Sequence, residues 1–147
     1  MAYTDDDDLL ERRSNIISLG VASWTDTHTK AKALIDLDLE GGWYRQAAEV
    51  KGVDPRVTPF DADLMLNSDD QLKDLSVFKV LELAYEYLSK DSETDVYMKL
   101  SDRYSKKYEI ELKKVIIRGI DYDWDASEEI DDSERSYERL SRRLSRV

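Results

Sequence analysis

Four residues near the end of the chain have the types and spacing to hold a cation, with a fifth at the expected hydrophobic position. In a frame that starts at Asp123, Asp125 and Ser127 follow at positions 3 and 5, Ile130 at 8 and Glu134 at 12. These are the oxygen-ligand and hydrophobic positions of a helix–loop–helix calcium site. A helical pattern enters the stretch and another leaves it. Three features oppose the assignment. Position 6 is Glu128, where the sharp turn wants the freedom of a glycine, Trp124 is an unusual neighbour, and no second loop exists to pair with. The competing reading is an acidic linker whose carboxylates cap the helices on either side. The expectation is therefore no resident metal, with Asp123, Asp125, Ser127 and Glu134 as a weak candidate set.

Other chemistry has fewer residues to draw on. His28 is the only histidine, so a Ser–His nucleophile or an imidazole–metal site would have to use it. It falls between Thr27 and Thr29 near a predicted helix start, which reads as a surface position with a structural role. Asp36, Asp38, Glu40, Asp61 and Asp63 offer an acid/base pair or a magnesium site. With 33 Asp and Glu in 147 residues, however, such neighbours arise by chance. No glycine-rich phosphate loop, nucleophile elbow or zinc spacing occurs, and there is no cysteine for a thiolate ligand or nucleophile. The chain does not read as an enzyme, and no cofactor is expected.

The charge distribution is more telling. From Arg135 to Val147 there are five arginines (135, 139, 142, 143 and 146) against Glu138, a local +4 on a chain of net −11. Ile130, Ser133, Tyr137, Leu140, Leu144 and Val147 recur at spacings of three and four, with arginines on the other faces. An acidic body with a basic, amphipathic end is suited to docking. Arg139, Leu140, Arg142, Arg143, Leu144 and Arg146 are the candidate partner-binding residues; the alternative is a frayed, solvated tail. Overall acidity argues against a general DNA-binding role, since phosphate neutralisation needs Lys and Arg on the contact face.

The elements that must position these residues read as helices. At 147 residues the chain can bury a real core, and apolar content of 41% with charge of 37% describes a soluble chain that exposes much polar surface or completes its burial on partners. No apolar run approaches the length of a membrane span, and the acidic start at Asp5–Asp8 is unlike a signal peptide. Thr4 or Asp5 can cap a first helix through about Ser18, stopped by Gly20. Thr25 or Asp26 starts a second, with Ala31, Leu34, Ile35, Leu37 and Leu39 as its apolar residues. Gly41-Gly42 is expected to break or kink it before Trp43–Val50 resumes. Gly52 to Pro59 is an irregular loop, with room for a short strand at Arg56–Phe60. Ser68 and Gln71 have the spacing of a capping box, opening a helix through Leu88 that is apolar over a wide arc and therefore central. A last helix runs from about Glu93 to Arg118. The expected architecture is all-α: a four-helix body over residues 1–119, then a linker and docking segment over residues 120–147.

Several stretches together carry a likeness. They are Asp8-Leu-Leu, Leu19-Gly-Val with Trp24 and His28, Asp38-Leu-Glu with Trp43-Tyr44, and Pro59-Phe60-Asp61 with Leu64 and Leu66-Asn67. Further on come Gln71-Leu-Lys, Leu75 with Phe78-Lys79 and Leu81-Glu82, Tyr85 with Tyr87-Leu88, Lys90-Asp91, and Gly119-Ile-Asp-Tyr-Asp-Trp-Asp. In order and spacing the chain resembles the helical head–tail connector, or adaptor, proteins of long-tailed bacteriophages. Members often carry glycines after the Asp-Trp-Asp run; here Ala126 and Glu128 stand instead. The resemblance implies a small all-α subunit of a ring, usually of about twelve copies, under the portal. It implies a structural virion neck protein, assembled in the host cytoplasm, that bridges the portal and a tail-side neck protein. The ring would line the channel for double-stranded DNA without sequence-specific binding, and no membrane would be involved. The competing function is a calcium-responsive binding module built on Asp123–Glu134.

Overall fold

The computed structural model describes residues 2–90, 93 and 95–125. Among these residues it is all-α, with no strand. Helix α1 spans Asp6–Arg12, α2 Thr25–Leu39, α3 Arg45–Lys51, α4 Ser68–Gln71, α5 Lys73–Ser89 and α6 Val96–Arg118. The widely apolar α5 is the central element, packed on α6, α2, α1 and α4.

Local chemistry explains most boundaries. Asp5 caps α1: its carboxylate accepts the N–H groups of Asp7 and Asp8 at 3.0 and 3.2 Å, and Asp8 reciprocates on the Asp5 N–H at 3.0 Å. The helix stops at Arg12 rather than near Ser18. Arg13 turns extended, its Nε donates to the Tyr85 hydroxyl at 3.0 Å, and a short 3₁₀ turn forms at Ile16–Ser18. This break seats Leu9 and Ile16, both fully buried, in one core cluster with Trp24 and α5.

The Gly41-Gly42 pair does not interrupt the second helix. Glu40–Tyr44 forms one wide π turn, and the backbone is right-handed helical at Glu40 where it begins and at Tyr44 and Arg45 where it passes into α3. The extra residue in that turn lets the adjacent Trp43 and Tyr44 both be buried. A Cβ at position 42 would lie 3.4 Å from Cδ1 of Ile116 on α6, at the edge of ordinary van der Waals contact. Of the expected apolar residues of α2, Ala31, Ile35 and Leu39 are buried, whereas Leu34 and Leu37 are exposed.

Two further expectations are corrected. Arg56–Phe60 is not a strand. Asp54 organises it as a turn, accepting the Arg56 N–H on its carboxylate and the Val57 N–H on its carbonyl. Ser68 and Gln71 do not form a capping box. Asn67 is the cap residue, in the left-handed region at φ 50°, and makes no side-chain cap bond. Gln71 instead reaches across to the chain that follows α6. Its Oε1 accepts the Asp121 N–H at 2.9 Å, and its Nε2 donates to the carbonyls of Leu66 and Asp121.

That link moves the expected boundary at residue 119. Gly119 closes α6 with φ 86°, but the next residues return to the body instead of leaving it as a linker. The Leu66 N–H donates to the Asp121 carbonyl at 3.0 Å and the Asp123 N–H to the Leu64 carbonyl at 2.8 Å, around an isolated antiparallel bridge between Met65 and Tyr122. Ile120 and Tyr122 are fully buried in the core. The body therefore extends to at least Trp124.

Candidate functional site

Most of the sequence-derived candidates have structural partners. His28 is not on the surface: 3% of it is exposed. Its Nε2 meets Asp6 Oδ1 at 3.2 Å, its Nδ1 meets the Thr4 hydroxyl at 3.0 Å, and Thr4 continues to the Ser76 hydroxyl at 2.8 Å. Neutral imidazole satisfies this string with Nε2–H donating to the carboxylate and Nδ1 accepting from Thr4. Carboxylate, imidazole and hydroxyl in series is the order of a nucleophile relay. Here Thr4, His28 and Ser76 are all buried, so no substrate reaches either hydroxyl in this conformation. The string ties the start of the chain to α2 and α5. It extends the structural role expected of His28, and Thr4 and Ser76 carried no sequence signal of it.

Burial holds the His28 pKa below its usual 6.5, and the opposing field and hydrogen bond of Asp6 do not overcome it. The sign of the stability effect follows. Above about pH 6.5 the imidazole is neutral in folded and unfolded chains alike. As the pH falls below that, the unfolded chain takes up the proton first, and stability drops until the folded form also titrates. Within that window the loss should be at most about 1.4 kcal/mol per pH unit. Urea denaturation from neutral to mildly acidic pH checks this, with His28→Gln as the reference that removes the dependence. Equal slopes for the two chains would refute it.

The candidate carboxylates are spoken for separately. Asp36 accepts from the Tyr3 hydroxyl and from Lys32 Nζ, the latter at 2.6 Å, and Asp38 accepts from the Tyr108 hydroxyl at 2.5 Å. Burial first, then these carboxylates, push both phenols up. Asp61 accepts the Asp63 N–H at 3.0 Å and gives its own N–H to the Tyr122 hydroxyl at 3.1 Å. Burial raises the Tyr122 pKa to about 12. Glu40 stands in the π turn. Asp36 and Asp63 both act on the Tyr3 hydroxyl, while Asp38 and Asp61 each meet a different tyrosine. Among the described residues, no group of three or more His, Asp or Glu side chains could hold a metal ion.

Of the weak calcium set, Asp123 is buried, with its N–H on the Leu64 carbonyl, and Asp125 is exposed. Ser127 and Glu134 lie outside the described residues, as do Arg139, Leu140, Arg142, Arg143, Leu144 and Arg146 of the docking segment.

The Asp-Tyr-Asp-Trp-Asp run has a clear place in the fold. Tyr122 and Trp124 close an aromatic corner with Trp43, Tyr44 and Phe60. Tyr44 stacks on Trp124 at 5.6 Å between centroids and 9° between planes, and Tyr122 lies 4.7 Å from Trp124 and 5.7 Å from Trp43. The Tyr44 hydroxyl donates to the Thr58 carbonyl at 2.5 Å, which fastens the proline-bordered loop to the same corner. Residues from three distant stretches, around positions 43, 60 and 122, thus form one packed unit.

Compared with family models, curated proteins and solved structures, the chain matches none. Among the described residues, no helix is long and apolar enough to cross a membrane.

Proposed function

We propose that this chain is a structural subunit of a virion neck: a ring-forming head–tail adaptor that bridges the portal and the next neck or tail component. The observation that carries the reading is the aromatic corner. The stretches quoted for the resemblance, Trp43-Tyr44, Pro59-Phe60-Asp61, Leu64 with Leu66-Asn67, Gln71, and Gly119 to Asp125, are scattered in sequence. In space they join through ring contacts and the Gln71 and Met65–Tyr122 links. Their roles are architectural, as a ring subunit without catalysis requires.

Charge supports the same reading. An acidic body repeated around a ring gives a channel wall that does not grip passing double-stranded DNA. The basic segment at residues 135–147 then serves as the portal-docking element. In this proposal the assembly forms in the host cytoplasm and ends in the virion. Native mass measurement of the chain mixed with the portal of its virion tests it. A complex carrying many copies, on the order of twelve as in closed rings, is expected. A chain that stays monomeric and unattached would count against the reading.

A further inference from the structure

Two outward helix faces are left with apolar side chains and opposite charge. On α6, Ile110 is 56% and Ile117 73% exposed, two helical turns apart. They sit on a helix with seven bases, including Lys106, Lys113 and Lys114, and three acids. On α2, Leu37 is 63% exposed beside the partly exposed Leu34, with the small residues Ala33 and Gly41 on the same side. Nothing lies within 4 Å of a Cβ built at Gly41, so another helix can come close there. With Lys32 and Asp36 paired to each other, Thr25–Glu40 keeps three acids, Asp26, Asp38 and Glu40, against one lysine, Lys30. Both helices pack on α5, and Leu37, Ile110 and Ile117 take no part in either core cluster.

We propose that the outer face of α6, centred on Ile110 and Ile117, docks on the outer face of α2, centred on Leu37, of a second copy of this chain. The proposal deepens the ring reading and rests on it. Charge selects this pairing: α6 against α6 sets basic faces together, α2 against α2 sets acidic ones together, and only the cross pairing joins opposite signs. Each copy then offers one face of each kind. The contact is head-to-tail, which propagates and closes into a ring when the rotation allows. A double-stranded nucleic acid would use the lysines of α6 but gain nothing from the two exposed isoleucines among them.

Two variants test the pairing, both confined to exposed side chains and checked for unchanged circular dichroism. Leu37→Ser disables the α2 face, and Ile110→Ser with Ile117→Ser disables the α6 face. Neither variant alone has a complete pair of working faces, so each should self-associate at least about tenfold more weakly than the unmodified chain. Mixed together, they should form a one-to-one dimer that grows no further, because the intact α6 face of the first meets the intact α2 face of the second. Sedimentation or native mass reads all three states. A mixture no more associated than its components overturns the proposal. Variants that assemble like the unmodified chain also overturn it, while leaving the ring reading intact. An unmodified chain that is monomeric at its highest soluble concentration overturns the contact too, and the ring reading is then judged by the portal mixture alone. Monomers that bind a double-stranded oligonucleotide, and lose it with Lys106→Glu and Lys113→Glu, would assign the α6 face to phosphate and sink the proposal.

Discussion

Trp43→Ala should cost about 3–5 kcal/mol of folding stability, the range for emptying a buried tryptophan site. Trp43 is 3% exposed and has ring contacts to Tyr44, Phe60, Tyr122 and Trp124, with centroids 5.7 to 6.5 Å apart. Removing it opens a void among side chains held by three different chain segments, so no single segment can move to fill it. Trp43→Phe should cost less, partly for reasons of size. The Trp43 indole N–H is also buried without an acceptor among the described residues, and an apolar ring removes that unmet donor. Tyr122→Phe should cost only about 1 kcal/mol, the worth of its bond from the Asp61 N–H. Urea denaturation followed by circular dichroism ranks the three. A Trp43→Ala loss below about 1 kcal/mol would mean the corner collapses freely, and it would no longer explain why residues 120–124 stay on the body.

If the chain is the neck adaptor proposed above, deletion of residues 135–147 should abolish attachment to the portal while leaving a folded, helical chain. The argument comes from the sequence, since this segment lies outside the described residues. Its arginines, Arg139, Arg142, Arg143 and Arg146, would speed and orient the encounter, and Leu140 and Leu144 would supply most of the affinity. Burying each leucine is worth roughly 1.5–3 kcal/mol, so Leu140→Ala with Leu144→Ala should weaken attachment more than any single arginine change. Because the sequence separates the acidic helical body from this basic end, the truncated chain is expected to keep its denaturation midpoint. Unchanged portal affinity after truncation would reduce the segment to a solvated end.

Helix identity was legible in the sequence because burial repeats locally along a helix. The three- and four-residue spacing of Ala31, Ile35 and Leu39 placed α2, and the wide apolar arc of α5 marked it as central. The cap of α1 was legible, since Asp5 was one of its two candidates, whereas the equally local Ser68–Gln71 pattern was not a cap. Leu34 and Leu37 show the limit of spacing. They match the period as well as their neighbours do, but which apolar side chains are covered depends on where α5 and α6 lie.

By itself the sequence determined the all-α class, the helix order and the separation of an acidic body from a basic end, because propensity, periodicity and charge are properties of short windows. Only the tertiary structure decided the fate of residues whose partners are far away in the chain. Gln71 read as a local cap and became a clasp on Asp121, fifty residues on. His28 read as a surface residue, yet Asp6, Thr4 and Ser76 surround it once α1, α2 and α5 pack together. Asp121–Trp124 read as the start of a linker, but Trp43, Tyr44 and Phe60 form a site for its rings that exists only after three segments meet. Glycines 41 and 42 read as a break or a kink, and they sit in a widened turn of a helix that continues, with Trp43 and Tyr44 both buried there. In each case the local preference is worth about 1 kcal/mol or less, while burying an aromatic or aliphatic side chain is worth several times that, so packing prevailed.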